Sequence, residues 1–246
     1  MEMIVPGKFS ASIVYFESEG KQNLRDVLRV LRGTFKKRNM RSVKVVILTG
    51  RGEGPVLAYN MLQEYDPRII AVTFPPTFAI KTEEGEWVNP QIPAKVKAFF
   101  KGVDVPILTG RLPFDKIEGA EAHNNQMKVI RDTLSLLGGS IPLLVQAVLQ
   151  ACDMGAVNEG ERVIGMTGDS AAIVTASSTL NFLRREGGLE INEILCKPRE
   201  FTLIRKKLQH APEELSGNLF EDQKKTIELP RREQKGLEKG REEEPT

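Results

Sequence analysis

The stretch VKVVIL at residues 43–48, followed at once by TGRGEGP at residues 49–55, decides the fold of this chain. The first part is a nearly continuous apolar run, which is typical of a strand covered on both faces within a parallel sheet. The second part is a glycine-rich loop, and its Gly54-Pro55 pair opens the next helix because proline suits the first helical turn. Strand, loop and helix in this order predict one β–α unit of an α/β fold.

Strands and helices alternate on both sides of this unit. The apolar patterns predict further strands at residues 10–16, 69–74, 105–109, 162–167, 171–176 and 191–198. They predict helices after Asn23 as N-cap, after Gly54, and at residues 92–101, 124–137 and 141–154, the last ending at Gly155. The face of the first helix that we expect to be buried consists of Leu24, Val27, Leu28, Leu31 and Phe35.

The order of these elements predicts the fold class. Parallel neighbours need long crossovers that cover the faces of the sheet, so we expect a three-layer α/β/α domain with a mostly parallel sheet. The consecutive strands late in the chain indicate an antiparallel edge. The length of 246 residues suits one domain with an appendage.

The appendage begins where the composition changes. Residues 200–246 contain ten Lys or Arg and eleven Asp or Glu, with few apolar residues among them. Such a segment buries too little surface to offset its ordering entropy. We therefore predict one domain over residues 1–208 and a charged, disordered tail over residues 209–246.

Charge and cysteine content exclude several classes. The net charge of +2 does not indicate a nucleic-acid or membrane-surface partner, and the longest apolar stretch, residues 141–151, is too short to span a bilayer. Two cysteines rule out a disulfide framework, and no metal-ligand spacing is present, so no metal is expected. No secretory signal is visible at the N-terminus. We expect a cytoplasmic protein with free thiols.

Ligands of open α/β sheets bind at the carboxyl ends of the strands, which directs attention to the loop Thr49-Gly50-Arg51-Gly52-Glu53-Gly54. Its alternate glycines allow backbone N–H groups to approach an anion, and the next helix points its positive end at the same place. Arg51 adds a charge and Thr49 a hydroxyl. The loop therefore predicts a phosphate site. The alternative is a glycine-rich turn that only joins strand and helix tightly, and Glu53 would repel an anion unless it points away.

Two other loops follow predicted strands. Thr73, Phe74 and Thr77 belong to a loop that could line one wall of a pocket for a planar ring, and the alternative is a rigid turn whose aromatic side chains plug the sheet. Gly168, Asp169 and Ser170 form the third candidate loop, for which a tight hairpin turn is the alternative.

Catalytic motifs are missing from the sequence. It contains no G-x-S-x-G elbow, no H-E-x-x-H and no paired cysteine motif. His123 and His210 have no partner pattern that indicates a base, and Cys152 and Cys196 lie in apolar segments typical of inert thiols. Whether the protein is an enzyme therefore stays open, and no catalytic residue is assigned.

The loop at residues 49–52 and the strand IIAVT at residues 69–73 resemble the C-terminal α/β domain of pyruvate kinase. Residues 12–198 more closely resemble a family of stand-alone, mostly archaeal proteins with that fold, through IVYF (13–16), ACDMGA (151–156) and EILCKPR (193–199). The resemblance implies no kinase activity. It implies bound flavin mononucleotide (FMN), with the phosphate on residues 49–54 and the ring toward residues 73–78 and 168–170.

This chain departs from those relatives in its loops. Gly50, Gly54 and Pro55 replace hydroxyl-bearing residues, and the loop at residues 167–170 is shorter and lacks an arginine. Two hypotheses follow. The first is a cytoplasmic module that binds a phosphate-bearing small molecule, with FMN as the leading candidate and a flavin-dependent redox role left open. The second is a regulatory or interaction module with a vestigial site, acting through self-association as a homo-oligomer or through the charged tail.

Overall fold

The structure is a computed structural model that describes residues 11–81, 85–117 and 119–200. Five helices lie in these residues: α1 (Leu24–Arg38), α2 (Glu53–Leu62), α3 (Ala94–Gly102), α4 (Glu121–Ser135) and α5 (Ile141–Asp153). The strands are β1 (Val14–Phe16), β2 (Lys44–Leu48), β3 (Arg68–Thr73), β4 (Ile80–Lys81), β5 (Trp87–Val88), β6 (Ile107–Thr109), β7 (Arg162–Met166), β8 (Ala171–Thr175) and β9 (Glu190–Pro198). The predicted α/β class is confirmed. The predicted tail at residues 209–246 and His210 lie outside the described residues.

Seven strands form one sheet in the order β1-β9-β8-β7-β2-β3-β6, and β4 pairs with β5 in a separate hairpin. Every neighbouring pair in the large sheet is parallel except the two that involve β8. The antiparallel strand is therefore inside the sheet, and the predicted antiparallel edge was wrong. The reason is that β1 adds to the outer side of β9, with Val14 opposite Cys196, and forms the edge itself.

Both faces of the sheet are covered, as the apolar run in β2 predicted. Val45 and Ile47 point into a core shared with α1, α2 and α3. Val46 points to the opposite face, where its core partners include Leu144 and Val148 of α5. Alternate residues of a strand point to opposite faces, so the apolar run at residues 45–48 that follows Lys44 in β2 is what a three-layer α/β/α arrangement requires.

The start of α1 differs from the prediction. Asn23 does precede the helix, but its side chain makes no capping hydrogen bond, and its Nδ2 donates instead to the carbonyl of Ser18 at 2.7 Å. A 3₁₀ turn at Lys21–Asn23 runs directly into the helix, which gives Asn23 the helical φ of −79° and ψ of −8°. A capping side chain needs an extended backbone at that position, so the turn and the cap exclude each other.

The predicted packing of α1 is confirmed. The expected buried face is buried in full, with Val27, Leu28, Leu31 and Phe35 at 0% exposure and Leu24 at 8%. Gly155 follows α5 with a φ of +74°, and its N–H donates to the carbonyl of Cys152 at 2.9 Å. This left-handed glycine after a helix is the predicted ending of α5.

Candidate functional site

The glycine-rich loop lies at the carboxyl edge of the sheet, directly after β2. The N–H of Thr49 donates to the carbonyl of Val72 at 2.9 Å, which extends the β2–β3 pairing by one residue. Thr49 Oγ1 then accepts the N–H of Gly52 at 2.9 Å, and Gly52 has a φ of +88°, which favours glycine. The loop therefore turns tightly into α2, and Glu53 is the first residue of that helix, where a carboxylate is favourable.

Each loop glycine closely approaches other protein atoms. A Cβ added at Gly50 would lie 2.8 Å from Pro90 Cβ, and one at Gly52 would lie 2.7 Å from Val96 Cγ1. At Gly54 the added atom would lie 3.0 Å from Ile47 Cγ2. The glycines are thus required by packing alone, which supports the alternative interpretation of this loop as a tight turn.

The chain between β5 and α3 covers the loop, and the sequence did not indicate this. Pro90 is buried against Gly50. Gln91 Nε2 donates to the carbonyls of Phe74 and Pro75 at 3.3 and 3.2 Å. We call residues 89–91 the covering segment, because it holds the loops after β2 and β3 together.

Three threonines lie at the carboxyl ends of three neighbouring strands. Thr73 of β3 is in register with Thr109 of β6, and Thr49 lies one step beyond the paired residues of β2 and β3. Thr73 continues the face of Ile69 and Ala71, which belong to the core of the first three helices. The row therefore faces the same layer as the glycine loop.

Thr73 stands out in this row because it is only 2% exposed and its Oγ1 has no hydrogen-bond partner among the described residues. Asn89 Oδ1, in the covering segment, is likewise a buried oxygen without such a partner. Buried polar atoms are nearly always hydrogen-bonded, so a buried oxygen without a protein partner indicates a water or a ligand that would supply the missing hydrogen bond. Arg51 is half-buried in the adjacent loop.

The residues predicted to form a ring-binding wall form a closed turn. The rings of Phe74 and Phe78 stack with centroids 4.4 Å apart and an interplanar angle of 10°. The N–H of Phe78 donates to the carbonyl of Pro75 at 2.9 Å, and Phe78 is 5% exposed, while Thr77 is exposed at the tip. This geometry supports the alternative of a rigid turn with an aromatic plug.

The third loop is a hairpin turn that connects two helix starts. Asp169 is 2% exposed, and its Oδ2 accepts the N–H of Gly20 before α1 at 2.9 Å. Its Oδ1 accepts the hydroxyl of Ser170 at 2.9 Å, and Ser170 Oγ accepts the N–H of Ser140 before α5 at 3.1 Å. A Cβ on Gly168 would lie 3.3 Å from Lys21 Cα. All three predicted residues of this loop therefore have structural contacts within the protein.

The remaining polar candidates that the structure describes are two thiols and one histidine. Burial raises the pKa of Cys152 to about 11 and that of Cys196 to about 12, so both thiols stay protonated near neutral pH. His123 lies half-buried in the first turn of α4. Among the residues the structure describes, no group of three or more His, Cys, Asp or Glu is placed to hold a metal ion, and no helix is long and apolar enough to cross a bilayer.

No protein-family model matches this chain. The resemblance to the pyruvate kinase C-terminal domain therefore stays a prediction that rests on the short stretches quoted above.

Proposed function

We propose that this chain is a cytoplasmic binding module for a small phosphate-bearing molecule, held at the carboxyl ends of β2 and β3. The observation that carries the proposal is the hydroxyl of Thr73, which is buried without a hydrogen-bond partner among the described residues. It lies next to a loop that leads into the positive end of α2 and that contains Arg51. Two free cysteines agree with a reducing compartment.

The chemistry of these groups suits a phosphate oxygen. The Thr73 hydroxyl can donate one hydrogen bond, and the guanidinium of Arg51 can add a charge-assisted one. The first N–H groups of α2 have no acceptor within their own helix, and together with the helix dipole they favour an anion. Because Pro90 lies against Gly50, the ligand would take the place of part of the covering segment.

FMN fits this site at its phosphate end only. The residues predicted for its ring are engaged elsewhere: Phe74 stacks on Phe78, and Asp169 and Ser170 bond to the starts of two helices. When bound, FMN would supply redox chemistry through its ring. The proposal therefore extends to phosphate-bearing molecules in general, with FMN as one of them.

The second candidate, a regulatory or interaction module with a vestigial site, is favoured by a different observation. All three loop glycines are explained by the approach of Pro90, Val96 and Ile47. A turn selected only for packing would look the same, and it would need no ligand.

Thermal unfolding separates the two candidates. The purified protein is heated with FMN, a nucleoside monophosphate, a sugar phosphate or inorganic phosphate, and its visible absorbance is recorded first. A ligand at 100 times its Kd should stabilise the native state by about 2.7 kcal/mol and raise the midpoint. Thr73→Val and Arg51→Ala should each reduce affinity roughly tenfold, from loss of one contact.

The control is Arg162→Ala, because Arg162 is exposed at the first residue of β7, at the opposite edge of the sheet. A colourless protein whose midpoint no phosphate compound raises would overturn the proposal and leave the interaction module. Equal losses in Arg51→Ala and Arg162→Ala would remove Arg51 from the site.

A further inference from the structure

Helix α1 carries a concentrated positive charge. Between residues 24 and 41 the chain has seven Lys or Arg and one Asp. Arg25, Arg29, Arg32 and Lys36 follow one another at intervals of four, three and four residues. At about 100° per residue they lie within about 60° of one another around the helix axis, and they extend over about 16 Å. We call these four residues the α1 stripe, and all four are exposed.

The α1 stripe borders an open depression on the protein surface. This depression, about 610 Å³ in volume, lies between α1 and the 3₁₀ turn Gln63–Tyr65, and its lining residues are Arg29, Arg32, Gly33, Lys36, Glu64 and Tyr65. A Cβ added at Gly33 would meet no atom of the described residues within 4 Å, so no described part of the chain fills the space above the helix there. A ligand can therefore lie along the stripe without displacing any part of the described chain.

Positive charge exceeds negative charge around this depression. Glu64 is its one acidic lining residue, and it lies among three cations: Arg32 Nε is 2.8 Å from its Oε1, Arg41 donates to its carbonyl at 3.0 Å, and Lys36 is close by. The hydrogen bond from Arg32, with a smaller contribution from the charge on Lys36, lowers the pKa of the Glu64 carboxyl.

Asp26 is a further acidic neighbour of the stripe among the described residues, and it pairs with Arg29 from within α1. In this pair the Arg29 side chain stays 68% exposed, and in the Arg32–Glu64 pair the Arg32 side chain stays 57% exposed. Ion pairs this exposed contribute little to stability, so an external anion can compete with both carboxylates.

We propose that the α1 stripe binds the phosphodiester backbone of a nucleic acid. Four cations in a line suit a polymer with regularly repeated negative charge, whereas a single phosphate would neutralise only one or two of them. The Tyr65 ring at the wall of the depression is half-buried, and the stripe itself offers only cations, which contact phosphates and read no base edges. Binding is therefore independent of base sequence.

This inference goes beyond the proposed function and departs from the expectation based on net charge. The value of +2 averages 35 basic and 33 acidic residues over the whole chain. The fold collects basic residues on one exposed face of α1, and a local patch of one sign attracts a polyanion whatever the sum is.

Fluorescence anisotropy with a short labelled oligonucleotide, single-stranded or duplex, tests the proposal on the full chain. The variant Arg29→Ala/Arg32→Ala/Lys36→Ala should lose affinity by about thirty-fold or more, and the slope of log K against log salt should fall by about 3. The matched control is Lys95→Ala/Lys97→Ala/Lys101→Ala, which removes the same charge from α3. Circular dichroism checks that both variants remain folded.

A variant with the opposite expected effect sharpens the test. Glu64→Gln removes the carboxylate from the depression and releases Arg32, so oligonucleotide affinity should rise by roughly threefold to tenfold. Four outcomes would overturn the proposal: no binding of the oligonucleotide at about 50 mM salt, equal losses in the α1 and α3 variants, no gain in Glu64→Gln, or binding to anionic lipid vesicles without binding to the oligonucleotide.

Discussion

Pro90 lies directly over Gly50, and a Cβ at Gly50 would be 2.8 Å from Pro90 Cβ. This contact joins the loop after β2 to the chain that leads into α3. It explains the glycine at residue 50 without reference to a ligand, and it closes the carboxyl edge of the sheet at the place where the proposed phosphate site lies.

Gly50→Ala should therefore destabilise the protein. The new methyl group would overlap the pyrrolidine ring, and overpacking of this kind costs about 1–3 kcal/mol. Gly33→Ala is the matched control, because the residue lies within α1 and a Cβ there meets no atom of the described part of the chain within 4 Å. Replacing a helical glycine by alanine should stabilise by about 0.5–1 kcal/mol. Urea unfolding measures both, and equal effects would contradict the packing role of Gly50.

Thr73→Val should leave the ligand-free protein as stable as before or make it more stable, by up to about 1 kcal/mol, because it removes a buried hydroxyl that has no partner among the described residues. Thr49→Val should destabilise it by about 1 kcal/mol or more, because the N–H of Gly52 loses its acceptor. Thermal unfolding of the two variants without ligand tests this contrast. A similar loss in both would mean that the Thr73 hydroxyl is already satisfied.

Asp169→Asn should be strongly destabilising. The carboxylate is buried and accepts hydrogen bonds from Gly20 N and Ser170 Oγ, and an amide presents a donor where one of these acceptors is needed. A loss of about 1.5–3 kcal/mol is expected from chemical denaturation. Asp66→Asn, on the exposed 3.1 Å hydrogen bond from Ser42, provides the control and should change stability by less than about 1 kcal/mol.

The two buried cysteines predict how the stability of the protein changes at alkaline pH. Their pKa values rise from the ordinary 9.0 to about 11 for Cys152 and about 12 for Cys196, chiefly through burial. Their stabilising contribution is full below the unfolded pKa and is lost as pH rises through the folded value, because the unfolded thiols ionise first. Stability should therefore fall between about pH 9 and pH 12. Replacing both cysteines by alanine should flatten this part of the profile, and an unchanged slope would assign it to other groups.

Much of the fold follows from local sequence patterns. The run at residues 43–48 and the apolar face from Leu24 to Phe35 are both buried in the fold. Burial selects apolar residues at the positions that face the core, so it can be recognised in the sequence. The position of β8 inside the sheet could not be predicted in this way. It depends on where β1 adds to β9, which is a contact between the two ends of the described domain.

The site was less predictable than the fold. A glycine appears identical in sequence whether a phosphate or a proline ring approaches it, so Gly50 could not be interpreted without its neighbour Pro90. The covering segment follows a hairpin whose strands have two residues each, too short for any periodicity to show. By contrast, the spacing of Arg25, Arg29, Arg32 and Lys36 was visible in the sequence. The net charge of +2 is a sum over the whole chain, however, and does not reveal a basic face on one helix.

The burial of Thr73 has a kinetic consequence. With 2% of the residue exposed, a molecule in solution cannot reach its hydroxyl until the chain around it opens. In stopped-flow measurements, the observed rate of ligand binding at Thr73 would then reach a plateau at high ligand concentration. The plateau value would be the rate at which the chain around Thr73 opens. The rate at which a ligand binds at this edge of the sheet would then depend on a motion of the protein and not on the ligand concentration.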